Sequence, residues 1–228
     1  MNRWFAHPTE DLVVLPDMPR LASWNKSTDA AQVRLRRYVE DTEKLLAGRR
    51  VTGPWTLLLE VGLPDDRDLT RMADLDNYAL PLATRLRDEN LVCVWCTKRH
   101  AAVSRVGIAR AEPAPPPVST YSARTTASAE SRVYKEQIRA SLAGAEEIPD
   151  GPVTLQISFT VGPGRNWLNL WKPTIDALDP LLGRAREVRD WHPRDDRITA
   201  LGLHLTMDET LGNDVLLQID VGPGHIAV

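Results

Sequence analysis

The stretch Gly53-Pro-Trp-Thr-Leu-Leu-Leu-Glu-Val61 recurs in altered form as Gly151-Pro-Val-Thr-Leu-Gln-Ile-Ser-Phe159. Both stretches begin with Gly-Pro, share a Thr-Leu pair at the same place, and continue as runs of strand length. The first run, Trp55 to Val61, is mostly apolar, and such a run after a turn signal is typical of a strand that is buried on both faces. The sequence therefore predicts a buried strand that occurs twice in the chain.

The segments around these two strands also match, in the same order. A helical pattern that ends in Leu-Ala-Gly precedes each strand, and a second helical pattern with matching asparagine and proline follows it. The matched segments are 38–48 with 134–144, 76–86 with 168–178, and Val103–Ile108 with Ile198–Leu203. Any two stretches of alternating helices and strands look somewhat alike, but the shared strings favour an internal duplication. We therefore expect a mixed α/β protein made of two similar halves.

A proline-rich segment, Glu112-Pro-Ala-Pro-Pro-Pro-Val118, separates the matched parts. Three consecutive prolines continue neither a helix nor a sheet ladder, and they favour an extended spacer. We therefore divide the chain into a first half at 1–112, a linker at 113–118 and a second half at 119–228.

The composition of the 228 residues is that of an ordinary globular protein, with 43% hydrophobic and 26% charged residues. No apolar run has the roughly 20 residues of a membrane helix, so we expect a cytoplasmic protein without membrane contact. The net charge is −3, with +1 on the first half. Because dedicated DNA-binding proteins are usually basic, any contact with nucleic acid must involve local patches.

The string Asp74-Leu-Asp76-Asn77 is the most informative short motif. Two aspartates at i and i+2 in extended chain point to the same face. Paired carboxylates can hold Mg²⁺, which can activate water and stabilise charge on a phosphodiester. The alternative is that these residues cap the helix that follows.

The second half carries Asn169-Leu-Trp-Lys172-Pro-Thr-Ile-Asp-Ala-Leu178 and, later, Asp195-Asp196-Arg-Ile198. This arrangement resembles the RusA family of Holliday-junction endonucleases. That family has an aspartate pair followed by asparagine, a lysine three residues on, an Asp-Ala-Leu helix and a later Asp-Asp before a strand. The resemblance covers most of both halves. It implies a pair of equal subunits that binds four-way DNA junctions and cuts two strands with Mg²⁺.

Neither half keeps the full motif. The first half has Asp74, Asp76 and Asn77, but Leu80 stands at the lysine position and His100-Ala101 at the Asp-Asp position. The second half has Asn169, Lys172, Asp195 and Asp196, but Asn166 and Leu168 stand at the Asp-x-Asp positions. Either the halves pool their residues in one composite site across an internal pseudo-dimer, or both sites have decayed. Because the family's carboxylates are expected to gather within one subunit, we expect decay.

The resemblance implies a specific set of site residues. The catalytic candidates are Asp74, Asp76, Lys172 and Asp196, and the candidate Mg²⁺ ligands are Asp74, Asp76, Asp195 and Asp196. Apart from the resemblance, two clusters of arginines in the sequence supply the candidate DNA contacts, which are Arg34, Arg36, Arg37, Arg184, Arg186 and Arg189. For the arginines, a solvated face with neighbouring acids is the alternative interpretation. The expected function is binding of branched DNA with weakened, single-site or lost endonuclease activity, and the alternative is a non-enzymatic interaction protein on the same scaffold.

Cys93 and Cys96, with His100 nearby, have the spacing of a zinc site. Residues three apart on a strand point to opposite faces, however, and structural zinc usually has four ligands. We therefore expect two free thiols in the core rather than a metal site.

Overall fold

The computed structural model describes residues 3–9, 12–21, 29–184 and 190–224 and contains a large mixed sheet with helices. The first part of the chain forms β1 (Trp4–Phe5), β2 (Val13–Val14), α1 (Ala30–Leu46), β3 (Trp55–Leu63), α2 (Leu75–Leu86), β4 (Leu91–His100), β5 (Arg105–Arg110) and β6 (Pro113–Ala114). The remainder forms β7 (Tyr121–Thr125), α3 (Arg132–Ser141), β8 (Val153–Val161), α4 (Trp171–Asp176), α5 (Asp179–Leu182), β9 (Ile198–Met207) and β10 (Val215–Pro223).

Eight strands form one continuous sheet in the order β2-β5-β3-β4-β9-β8-β10-β7. The pairs β3–β4 and β8–β9 are parallel, and the other neighbours are antiparallel. The remaining strands, β1 and β6, pair with each other, so two residues of the predicted linker form part of a small second sheet. The predicted mixed α/β class is therefore confirmed.

The two parts of the sheet follow the same path. One contains β2, β3, β4 and β5, and the other contains β7, β8, β9 and β10, with equivalent pairings throughout. Both parallel pairs contain the same irregularity in their register. Trp55 faces Leu91 and Thr56 faces Cys93, so Val92 is skipped; likewise Val153 faces Ile198 and Thr154 faces Ala200. Leu91 in β4 thus corresponds to Ile198 in β9.

This correspondence corrects the fourth segment match of the sequence analysis. Ile198–Leu203 lies in β9, whose counterpart is β4, whereas the counterpart of β5 is β10. Short apolar strands look alike in sequence, and only the pairing distinguishes a parallel inner strand from an antiparallel outer one. The residues that match Asp195-Asp196 are consequently Asp88-Glu89, immediately before β4, and not His100-Ala101.

The antiparallel pair β4–β9 joins the two parts at the centre of the sheet. Trp95 faces Gly202, with Cys93 facing His204 and Thr97 facing Ala200 on either side. Because β4 runs antiparallel to β9, the carboxyl end of β4 lies beside the amino end of β9. The candidate site lies where these two strand ends are side by side.

The helices pack on one face of the sheet, where alternate strand residues such as Leu57, Leu59 and Val61 enter the main core. Asp29 caps α1 as predicted, accepting a hydrogen bond from the backbone N–H of Ala31. The other face is partly covered by the N-terminal segment, in which Phe5 donates its backbone N–H to His204 Nδ1. Within the described ranges, no helix has both the length and the apolar character needed to cross a membrane.

Candidate functional site

Asp74 and Asp76 lie at the amino end of α2. Asp74 occupies the cap position without a capping bond, and its Oδ2 instead accepts a hydrogen bond from Asn77 Nδ2 at 3.1 Å. Asp76 is already the second helical residue and is only 4% exposed. Asp74 therefore has extended backbone as predicted, but Asp76 is helical, because α2 begins before Asn77 rather than after it.

The second half contributes Lys172 and the turn before β9. Lys172 Nζ donates to Asp195 Oδ2 at 2.7 Å and lies 3.0 Å from Asp176 Oδ1. Asp195 and Asp196 occupy a short 3₁₀ turn, Asp195–Arg197, that leads directly into β9. The sequence analysis assigned this lysine and this aspartate pair to the same family motif. In the structure, Lys172 contacts the pair directly through Asp195.

The antiparallel pairing of β4 and β9 brings these groups from both halves together. Asp196 Oδ2 accepts the backbone N–H of Met72 at 3.4 Å, and Met72 lies two residues before Asp74. Helix α2 also packs against β9 and α4. The segments that carry the two sets of carboxylates are therefore neighbours, whereas decay of the site stays a prediction.

The electrostatics of Asp76 show that the groups influence one another. Burial raises its pKa to about 7, the positive charge of Lys172 opposes this rise, and the charges of Asp195 and Asp74 add to it. Burial likewise raises the pKa of Asp195, again against the effect of Lys172 and with the help of Asp74. Carboxylates from two distant parts of the chain thus share one electrostatic environment.

Two lysines, the half-buried Lys172 and the buried Lys98, partly balance this negative charge. Burial would lower the pKa of Lys172, but the charges of Asp76, Asp195 and Asp176 raise it above its ordinary value. Burial lowers the pKa of Lys98 to about 8, although Asp74 and Asp196 favour its charged form. Lys98 donates to the carbonyl oxygens of Met72, Ala73 and Asp196 at 3.1, 3.2 and 2.5 Å.

The donor set fits a divalent cation in chemistry, because carboxylate oxygens are the ligands that Mg²⁺ prefers, and burial is the main cause of the raised pKa of Asp76. Four carboxylates, those of Asp74, Asp76, Asp195 and Asp196, face only two ammonium groups. Nevertheless, no three His, Cys, Asp or Glu side chains among the described residues are grouped as a formed metal site. Lys172 instead makes the close contacts to Asp195 and Asp176.

The opposite edge of the sheet lacks this arrangement. The counterparts of Asp74 and Asp76 are Asn166 and Leu168, and the counterpart of Lys98 is Leu205, a buried core residue. Asp88, the counterpart of Asp195, accepts a hydrogen bond from Trp55 Nε1 at 2.8 Å and pairs with Arg50 at 3.5 Å. Within the part of the chain that the structure describes, the shared carboxylate environment therefore exists at one edge only.

The candidate DNA contacts are in different situations. Arg34, Arg36 and Arg37 are exposed on α1, and Arg37 pairs with Asp41 at 3.6 Å. Arg184 donates to the buried Asp179 at 2.8 Å, so it has an internal structural partner. Arg186 and Arg189 lie outside the described residues. Contact of these arginines with DNA stays a prediction.

The zinc alternative fails on geometry. Cys93 and Cys96 are both buried free thiols, as predicted. Cys96 packs in the main core, whereas Cys93 packs with Trp95 and Phe5 on the other face of the sheet. Two thiols on opposite faces of a strand do not bind the same ion.

The sequence analysis missed Lys98. Its only signal was a lysine at an inward position of an otherwise apolar strand, on the same face as Val94 and Cys96. A buried lysine usually needs a structural or functional reason. The sequence alone did not reveal which partners it had.

No protein-family model matches this chain, and no curated protein matches it in sequence. The RusA-like interpretation therefore depends on the motifs and on the geometry described above.

Proposed function

We propose that this protein is a RusA-like internal pseudo-dimer that binds branched DNA and nicks one strand at a single Mg²⁺-dependent composite site. The observation that carries this proposal is the contact of Asp196 with the backbone N–H of Met72, two residues before Asp74, across the β4–β9 junction. Asp74 and Asp76 also influence the charge of Asp195, and Lys172 that of Asp76. These are the residue types that the family motif requires, and each half alone has only part of them.

The pseudo-dimer is supported by the equivalent strand order of the two parts and by their shared irregularity in register. With Leu91 matched to Ile198, Trp95 corresponds to Gly202, and these two residues face each other in the central pair. A two-fold relation through this pair would interchange the two half-sheets. A tandem chain then replaces the encounter of two subunits by an intramolecular contact.

The four carboxylates of Asp74, Asp76, Asp195 and Asp196 would hold the cation. Mg²⁺, when bound, supplies charge to neutralise the phosphate and to activate water. Lys172 holds its ammonium group against Asp195 and Asp176, so it keeps Asp195 in place and positive charge beside the site. The burial of Asp76 limits access of bulk water to its carboxyl.

A single composite site implies a nick rather than two symmetric cuts. The opposite edge has Asn166 and Leu168 in place of the aspartates, and its Asp88 is engaged with Trp55. Asparagine and leucine do not supply the negative charge that a divalent cation needs. One chain therefore cuts one strand at each binding event.

The second candidate function is a non-enzymatic interaction protein on the same scaffold. It is favoured by the absence of a formed metal site among the described residues and by the close ion pairs of Lys172. The net charge of −3 also favours partners other than DNA.

The test is a nicking assay on a labelled four-way junction and on linear duplex, at low salt, with Mg²⁺ or Mn²⁺. We expect the junction to be nicked in one strand and the duplex to be cut more slowly. Asp76→Asn and Asp196→Asn should each reduce the nicking rate by about 100-fold or more, since each removes a charged ligand of the cation.

The matched control is Glu89→Gln, because Glu89 is the exposed counterpart of Asp196 at the opposite edge. It should leave the nicking rate unchanged. A wild-type protein that binds the junction but never nicks it would support the interaction-protein alternative. Nicking that survives both aspartate substitutions would exclude the composite site.

A further inference from the structure

Lys98 lies on β4 and is only 3% exposed. Its ammonium group has three N–H bonds and three backbone acceptors, the carbonyl oxygens of Met72, Ala73 and Asp196. Two acceptors belong to the loop of the first half and one to the turn of the second half. Lys98 therefore links the two segments that carry the candidate carboxylates.

The loop that Lys98 binds has an unfavourable backbone conformation. Met72 and Ala73 have φ values of +63° and +66°, in the left-handed region that residues with a Cβ atom rarely adopt. Two such residues in succession persist only where other contacts hold them. The chain continues directly into Asp74, so the orientation of this turn decides where Asp74 lies.

The sheet itself does not require a lysine at this place. The counterpart of Lys98 in β9 is Leu205, which is 7% exposed and packs in the core. The turn with positive φ values at Met72 and Ala73 also has no counterpart after β8, where a shorter segment leads to Asn166. Lysine, the left-handed turn and the Asp-x-Asp pair thus occur together, at the same edge of the sheet.

We infer that Lys98 is a positioning residue, which holds the Met72–Ala73 turn against Asp196 and thereby brings the carboxylates of the two halves together. It acts through backbone carbonyl groups and not on the substrate. The effect of Lys98 on cation binding rests on the proposed function. The hydrogen bonds by which Lys98 joins the Met72–Ala73 turn to Asp196, called the tether below, do not depend on it.

Trypsin cleavage after Arg71 tests the tether without any metal, because the side chain of Arg71 is 81% exposed and the next residue is bound by Lys98. Lys98→Met keeps the length of the side chain and removes the ammonium group. We expect cleavage after Arg71 to become about tenfold faster, since three hydrogen bonds of the loop are lost. Lys44→Met, on the exposed face of α1, is the matched control and should leave this rate unchanged.

Mn²⁺ titration, followed by the electron paramagnetic resonance of the free ion, tests the link to the site. Loss of a positive charge near carboxylates would by itself strengthen cation binding. A positioning role predicts the opposite sign, with about tenfold weaker binding in Lys98→Met. Lys98→Arg keeps the charge but not three donors on one nitrogen, so it should also weaken binding.

The outcomes separate the two proposals. If wild-type protein binds no Mn²⁺, the metal-dependent function is wrong, and the trypsin assay still tests the tether. Unchanged cleavage after Arg71 in Lys98→Met overturns the tether. Unchanged or tighter Mn²⁺ binding in Lys98→Met and Lys98→Arg overturns the positioning role.

Discussion

Asp76 is the residue whose chemistry depends most on its surroundings. In an unfolded chain its carboxyl is ionised above its ordinary pKa of 3.8, but burial in the fold raises that pKa to about 7. The folded protein therefore binds a proton more tightly than the unfolded chain does. As pH rises from about 4 to about 7, this difference lowers the stability of the fold, which then stays constant at higher pH.

Asp76→Asn should remove this dependence. At pH 8 the substitution should raise the free energy of unfolding by about 2 kcal/mol, because a buried charge is replaced by a neutral amide. At pH 4 the two proteins should have nearly the same stability. Urea unfolding at both pH values checks this, with Asp65→Asn, at an exposed position, as the control. Equal stability of Asp76→Asn and wild type at pH 8 would contradict the raised pKa.

At the scale of elements, the central strands β4 and β9 decide how the halves meet. Trp95 faces Gly202, and a Cβ atom on Gly202 would lie 2.9 Å from Trp95 Cη2 and 3.1 Å from His204 Nε2. The φ angle of Gly202 is not positive, so backbone conformation does not require a glycine here. The close packing of Trp95 and His204 does. The register of this pair also places the end of β4 beside the start of β9 and hence brings Lys98 to Asp196.

Gly202→Ala should destabilise the protein by about 1–3 kcal/mol, because the added methyl group forces the Trp95 ring or His204 to move. Gly222→Ala is a suitable control, as Gly222 also lies in a strand and has open space where the Cβ atom would be. Thermal unfolding of the three proteins checks the prediction. A Gly202→Ala protein as stable as wild type would mean that the packing at the strand centre is looser than described.

At the scale of the whole molecule, the continuous sheet leads us to expect that the two halves unfold as one unit. The N-terminal segment adds to this, because the backbone N–H of Arg3 donates to Thr206 Oγ1 and the Arg3 carbonyl accepts from Ser158 Oγ. Residues from the start of the first half are thus bound by strands of the second. The proposed site needs this unity, since its carboxylates come from both halves.

Leu217→Ala, in β10, should therefore weaken the first half as much as the second. The cavity should cost about 2–5 kcal/mol, since Leu217 is 1% exposed. Hydrogen exchange of the amides in β3 and β8 should accelerate by the same factor if both open only by global unfolding. Gln218→Ala, on the opposite face of β10, should change neither. Acceleration confined to β8 would mean that the halves unfold independently.

The sequence by itself determined the local features of this protein. Strand β3 follows from its apolar run, the cap of α1 from Asp29, and the two free thiols from the alternation of strand faces. The motif residues Asp74, Asp76, Lys172, Asp195 and Asp196 also came from sequence, since their types and spacing are local properties. The match of the outer strands was wrong, because short apolar segments do not reveal their partners.

How these local features are arranged in space was decided only by the tertiary structure. The meeting of Asp76 with Lys172 and Asp195 depends on the antiparallel register of β4 and β9, which joins residues about a hundred positions apart. The role of Lys98 depends on three carbonyl groups, which carry no side-chain signal. The physical reason is that hydrogen-bond register and burial are set by all the strands together, whereas a sequence pattern reports only on neighbouring residues.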